Sequence, residues 1–219
     1  MRAMALKDFK VLANNKMFML WNGMIVIYAI ITGILNKDLL MISRMFTIMG
    51  AYYFSMILMW NDDKKGIYLS SLPMSRASII LSKYIVLMLY SLGITFIQEF
   101  IGNGLRVMLH ESPVMLDSIF ISSSIVVLAS IVLESMFISL YTKFGYNANI
   151  NAVIICVMAL CPVIIKKMFT EAQMLEFIQK FNEIFSNGYT SGAMFLSIAA
   201  IICIISMYIS VNFYKAKEF

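Results

Sequence analysis

Long apolar runs, broken by short charged clusters, organise the whole 219-residue chain. A hydrocarbon core about 30 Å thick takes roughly 20 apolar residues per crossing helix. Runs near that length fall at 17–35, 39–60, 84–101, 118–140, 148–165 and 193–214. Asn36-Lys37-Asp38 is a tight connection, so the first two runs predict an antiparallel hairpin. Ahead of them, residues 1–16 place Ala5, Leu6, Phe9 and Leu12 on one side and Lys7, Lys10 and Asn14 on the other. That pattern predicts a helix lying in the headgroup plane, although a plain basic flank has the same composition. Between the fifth and sixth runs, Thr170 and Gln173 form a capping-box pair. Met174, Phe177, Ile178, Phe181 and Phe185 then recur at helical spacing before Asn187-Gly188. This predicts an amphipathic helix at the outer face, which either lids an exit or rests on the membrane. The expected fold is all-α and integral to the membrane. It has one domain over 1–219, six transmembrane helices, an N-terminal interfacial helix and an outer amphipathic helix.

The longest polar interruption in the first half is Asn61 to Lys83, NDDKKGIYLSSLPMSRASIILSK. Asp62, Asp63, Lys64, Lys65 and Gly66 read as a solvated turn. Pro73 suits the first position of a new helix, where its missing N–H is no loss. Arg76 and Lys83 flank that helix before it enters the membrane. A short helix bearing Ile67, Tyr68, Leu69 and Leu72 has the shape to sit in a cleft of a soluble partner. A simple basic connector reads the same way.

Composition agrees with a bilayer as solvent. Hydrophobic residues make up 61% of the chain and charged residues only 13%, about half the usual share. With the N-terminus inside, eleven basic residues fall on the inner side and five on the outer, with Arg44 within the second span. That asymmetry places both termini in the cytoplasm, with Lys166-Lys167 as the exception. The net charge of +5 sits beside span ends, where it meets anionic lipid, and implies no nucleic-acid partner. Cys156, Cys161 and Cys203 fall inside apolar spans without metal-ligand spacing and read as small buried hydrophobes. The 20 methionines are scattered over every span and form no stripe.

No catalytic set is legible. The chain lacks H-E-x-x-H, G-x-S-x-G and G-x-x-x-x-G-K-[ST] patterns, and His110, the single histidine, falls in an outer polar stretch, 102–117. A transporter subunit without its own ATPase, or a channel, fits better than an enzyme, and no bound cofactor or metal is expected. Charges inside spans are costly and call for partners. Arg44 and Glu99, the latter beside Gln98, fall at similar depth near the outer side, so they either pair or snorkel to the interface. Glu134, roughly two turns from the inner end of the fourth span, is expected to face protein or water, as a pathway or interface residue.

Two segments carry a resemblance. Leu72-Pro73-Met74-Ser75-Arg76 followed by Ile79-Ile80-Leu81-Ser82-Lys83-Tyr84 resembles the loop after the second span of type-2 ABC exporter permeases. Leu140-Tyr141-Thr142-Lys143-Phe144-Gly145-Tyr146 is similar to the segment after their fourth span. Within that family the chain looks most like small permeases that export amphipathic peptides, such as phenol-soluble modulin exporter subunits. The resemblance implies a multi-pass permease of the cell membrane, paired with a second permease, the same or related. Two copies of a separate ATP-binding subunit would hold ATP and magnesium. It implies ATPase coupling through Asp62, Asp63, Lys64, Lys65, Tyr68, Leu72, Pro73 and Arg76, with a smaller contact at Lys143, Phe144 and Gly145. Export of antibiotics or lipids, and a non-transporting scaffold or immunity role, are the alternatives.

Overall fold

A computed structural model describes residues 2–35, 40–63, 75–110, 116–145 and 188–216, all helical apart from short junctions. The helices are α1 (Arg2–Ala13), α2 (Lys16–Leu35), α3 (Leu40–Asp63), α4 (Arg76–His110), α5 (Leu116–Phe144) and α6 (Gly188–Ala216). Among the described residues, four stretches are long and apolar enough to cross a bilayer: Lys16–Leu35, Ala77–Leu109, Ile119–Phe144 and Gly188–Ala216. The helix ends follow local chemistry. Asn15 Oδ1 accepts from the backbone N–H groups of Met17 (2.9 Å) and Phe18 (3.3 Å), capping α2. Ser75 Oγ accepts from Ser78 N–H at 3.2 Å and starts α4. Gly145 ends α5 with φ of 74°, a left-handed turn that suits glycine, and its N–H reaches Tyr141 O at 2.8 Å.

Contacts between helices set their directions. Trp21 Nε1–H donates to Phe46 O at 2.9 Å and Ser43 lies against Ile25, so α2 and α3 are antiparallel. Asn22 meets Tyr90 while Gly33 meets Gly102, so α2 and α4 run the same way. Arg44 meets Ser122 and Met59 meets Tyr141, so α3 and α5 run together. Gly188 rests on Asp117 and Ser206 on Ser135, which makes α6 parallel to α5. The lower end of the bundle therefore gathers α1, the start of α2, the end of α3, the start of α4 and the ends of α5 and α6. Met4 of α1 packs there against Ile79 and Tyr214, so the two ends of the described chain lie on one face. Residues 146–187 join the lower end of α5 to the upper end of α6. The fifth span, the outer amphipathic helix, Cys156 and Cys161 lie outside the described residues, as do Lys64, Lys65, Tyr68, Leu72 and Pro73.

The burial pattern is that of a protein in lipid. On α6 the buried residues are small, namely Gly188, Ser191, Gly192, Ala199, Ser206 and Ser210. The large ones, Ile201, Ile204, Ile205 and Tyr208, are exposed. Helices in lipid gain little by hiding apolar surface from one another and associate through small residues and hydrogen bonds. α4 is the centre: it touches every other described helix. Of its most apolar window 56% is buried, against 17% for α6. The main core, with Leu12, Phe54, Leu58, Ile80, Leu87, Phe137 and Ile138, occupies the lower half.

Several expectations need correction. The third crossing is not confined to 84–101. α4 runs unbroken from Arg76 to His110, roughly 50 Å at 1.5 Å per residue, so the stretch 102–110 is helix and not loop. Gly102 belongs there because α2 and α4 touch at that level. A Cβ on Gly33 would lie 2.9 Å from Gly102 O and 2.7 Å from Leu105 Cβ. Asp62 and Asp63 are not a turn but the last residues of α3. Lys83 is not a flanking charge at the membrane edge but a buried residue of α4. On α1, Leu6 and Phe9 are exposed while Met4, Asp8 and Leu12 form the buried face. The cause is a charged partner on α4 that draws an acid inward.

Gly33→Ala is expected to push α2 from α4 and cost about 1–3 kcal/mol, the usual range for overpacking. Gly93→Ala, with nothing within 4 Å, is its control and is expected to gain up to about 1 kcal/mol from helix propensity alone. Thermal unfolding of both variants in detergent checks this, and equal melting temperatures would contradict the close contact.

Candidate functional site

The functional candidates fall into three polar layers along α4. The upper layer joins three helices. Arg44 on α3 donates from Nε to Glu99 Oε1 at 2.7 Å and from Nη2 to Glu99 Oε2 at 3.1 Å. Nη2 also donates to Ser122 Oγ on α5 at 2.9 Å. Asn103, one turn beyond Glu99, donates to Glu99 Oε2 at 2.7 Å. The carboxylate is 4% exposed and the guanidinium side chain 26%. The structure thus brings Arg44 and Glu99 together as a two-bond fork, the geometry that makes such pairs strong and directional. Beside it Thr47 Oγ1 donates to Gln98 Oε1, while Gln98 Nε2 has no partner among the described residues.

The middle layer holds Glu134. Its side chain is buried between α5 and α4 and accepts from Ser91 Oγ at 2.7 Å. Tyr90, next to Ser91, donates to Asn22 Oδ1 on α2 at 3.2 Å. Tyr90 also closes a ring cluster with Phe18 and Phe54, with centroids 4.5–5.6 Å apart. Glu134 therefore faces protein, at the contact of α5 with α4.

The lower layer is a hydroxyl cluster. Tyr84 OH lies 2.6 Å from Ser206 Oγ and 2.9 Å from Ser210 Oγ. Ser139 Oγ reaches the same two serines at 2.8 and 3.1 Å. Sequence reasoning missed these groups because single serines in apolar runs look unremarkable. The four-residue spacing of Ser135 with Ser139, and of Ser206 with Ser210, was the available signal. Asn103 was legible in the same way, four residues from Glu99.

Below these layers, Asp62 and Asp63 end α3, Arg76 begins α4, and Lys143, Phe144 and Gly145 close α5, all at the lower end. Lys143 lies over the rings of Phe144 and Phe213, 5.1 and 5.2 Å from their centroids. This holds the α5 terminus to α6. Among the described residues no group of three or more His, Cys, Asp or Glu side chains is placed to hold a metal. The arrangement ties the helices to one another at defined depths.

A family model described as ABC-2 family transporter protein matches residues 3–215. The chain belongs to that family. A comparison with curated proteins returns no match. This ABC-2 family chain is a multi-pass membrane protein and the membrane subunit of an ABC transporter. It is not itself the ATPase, and membership implies an ABC ATP-binding partner.

Two sets of variants, the first including Glu99→Leu alone, test the buried charges of this ABC-2 subunit. Arg44→Met strands Glu99, and breaking a buried pair from one side costs about 3–5 kcal/mol. Replacing both partners in Arg44→Met/Glu99→Leu is expected to recover most of that loss. Additive losses in thermal unfolding would show that the two residues act separately. Glu134→Gln keeps an acceptor for Ser91 and is expected within about 1 kcal/mol of wild type. Glu134→Leu removes that acceptor and is expected to unfold at a clearly lower temperature in the same assay. Equal stability of the two would show that the Ser91 bond contributes nothing.

Proposed function

We propose that this chain is the permease of an ATP-driven exporter of amphipathic or hydrophobic peptides. In this reading it works as a pair of permeases with two copies of the ATP-binding subunit, which hold ATP and magnesium. The observation that carries the reading is the family match over residues 3–215. The lower face supports it, because α3 ends there at Asp63 and α4 starts there at Arg76. The intervening loop with Lys64, Lys65, Tyr68, Leu72 and Pro73 is thus tied to two packed helices, as a coupling element has to be. A push on that loop is passed to α4 directly. The end of α5, with Lys143, Phe144 and Gly145, provides the smaller contact.

The lower face is assigned to the cytoplasm, since Lys7, Lys10, Lys16, Arg76, Lys143 and Lys215 gather there while Arg106 lies toward the other end. Both termini are then cytoplasmic. Export is supported by the resemblance of the Leu72–Tyr84 and Leu140–Tyr146 segments to type-2 ABC exporter permeases, and peptide as cargo by the chain's likeness to the small peptide exporters within that family. Arg44, Gln98, Glu99 and Glu134 are the intramembrane polar candidates, and in this reading they hold the helices that flank the pathway.

The test is ATP hydrolysis by the partner subunit in nanodiscs, with and without this chain. Wild type is expected to bind the ATPase and change its rate. Arg76→Glu and the double variant Asp62→Lys/Asp63→Lys are expected to weaken binding about tenfold, the equivalent of ~1.4 kcal/mol. An amphipathic helical peptide is expected to stimulate hydrolysis where a scrambled peptide does not. Unchanged binding by the loop variants would remove the coupling assignment. Stimulation by lipids or small drugs alone would remove the peptide.

A further inference from the structure

α1 is held to the base of α4 by a buried charge cluster. Asp8 is 1% exposed, in the middle of the buried face of α1. Its Oδ2 accepts from Ser82 Oγ on α4 at 2.9 Å. Its Oδ1 faces Lys7 Nζ at 3.4 Å and Lys83 Nζ at 3.9 Å, and the Lys83 side chain is itself 1% exposed. Around the cluster, Met4 packs on Ile79, and Leu12 joins the core with Ile80 and Tyr84. The remaining surface of α1 divides into exposed Leu6 and Phe9 and the basic Lys7 and Lys10. One helix thus offers a protein face, an apolar face and a headgroup face.

A buried ion pair is a poor source of stability, because desolvation offsets most of the attraction, and its best-attested use is to set register. An apolar contact between α1 and α4 allows sliding by a fraction of a turn. A carboxylate that accepts a hydroxyl proton and faces an ammonium does not. The cluster also sits two turns above Arg76, about 10 Å along the axis. That is where α4 leaves the loop assigned to ATPase coupling.

We propose that Asp8, through Ser82 and Lys83, is a positioning residue that clamps α1 to α4, so that the two move as one body when the coupling loop is displaced. The proposal rests on the permease reading above. In it, α1 is a lever arm in the membrane surface. Motion of the α4 base relative to α5 and α6 carries the arm through the headgroup layer.

The test is a spin-label distance between Lys10→Cys on α1 and Ile85→Cys on α4, both exposed positions. Cys156, Cys161 and Cys203 are replaced by serine, and the permease–ATPase complex is held in nanodiscs. In the wild-type background the distance is expected to change by less than about 2 Å between the nucleotide-free and vanadate-trapped complexes, the size of ordinary helix shifts. Asp8→Asn keeps the side-chain size and an acceptor for Ser82 but removes the charge. It is expected to broaden the distribution and let the distance differ between the two states. Lys83→Met carries the same expectation if Asp8→Asn does not assemble. A wild-type distance that changes with nucleotide, or a variant as narrow and constant as wild type, overturns the clamp. If the wild-type chain binds no ATPase, the permease reading fails instead. The distribution in the permease alone then decides the clamp, an unbroadened variant overturning it.

Discussion

Hydrogen bonds from one helix to each of its neighbours hold this bundle in register. Lipid chains are as apolar as leucine, so apolar contact alone does not choose a neighbour or a depth. α4 makes that choice through its polar residues. Ser82 reaches α1, Tyr84 reaches α6, Tyr90 reaches α2 and Ser91 reaches α5. Gln98 and Glu99 reach α3. The bonds climb α4 from base to top, one neighbour after another. Small residues supply the close approach that such short bonds require, as where Gly192 meets Phe120 and Ser124, or Gly33 meets Gly102.

This arrangement makes α4 the natural lever. Its 35 residues exceed what a hydrocarbon core of about 30 Å can cover. Its lower end follows directly on the loop between α3 and α4. From Arg76 to Glu99 the rise is roughly 35 Å, so a rigid helix links the lower face to the upper ion pair. Force applied to the base of α4 is therefore felt by every helix that α4 holds.

Much of this was legible in the sequence, for physical reasons that differ by element. Of the six expected spans, the first, third, fourth and sixth coincide with described helices long and apolar enough to cross, because bilayer thickness dictates such lengths. The depth match of Arg44 with Glu99 followed from helix rise and chain direction alone. The extension of α4 through Gly102–His110 did not, because glycines and polar residues there resemble a loop. They form a helix because Gly33 packs against Gly102 and because Asn103 bonds to Glu99. Asp8 was invisible for the opposite reason. An acid on an amphipathic helix reads as solvated until its partner is known, and Lys83 read as a membrane-edge charge. Two residues 75 positions apart in the chain each hid the meaning of the other.

The strengths of these ties are graded along the bundle, and the grading has a mechanical consequence. At the top, a bidentate ion pair, a serine and a glycine contact fix α3, α4 and α5 to one another and α2 to α4. At the base, α4 is joined to α6 by neutral hydroxyl bonds from Tyr84. Single interhelical bonds of that kind are worth only about 0.6–2 kcal/mol in a membrane. The charge cluster at Asp8, in contrast, holds α1 to α4. In the lower half the apolar core also holds α1, α3, α4 and α5 together, while α6 contributes only partly buried residues to it. Among these polar ties, those between α4 and α6 at the lower face resist relative displacement least.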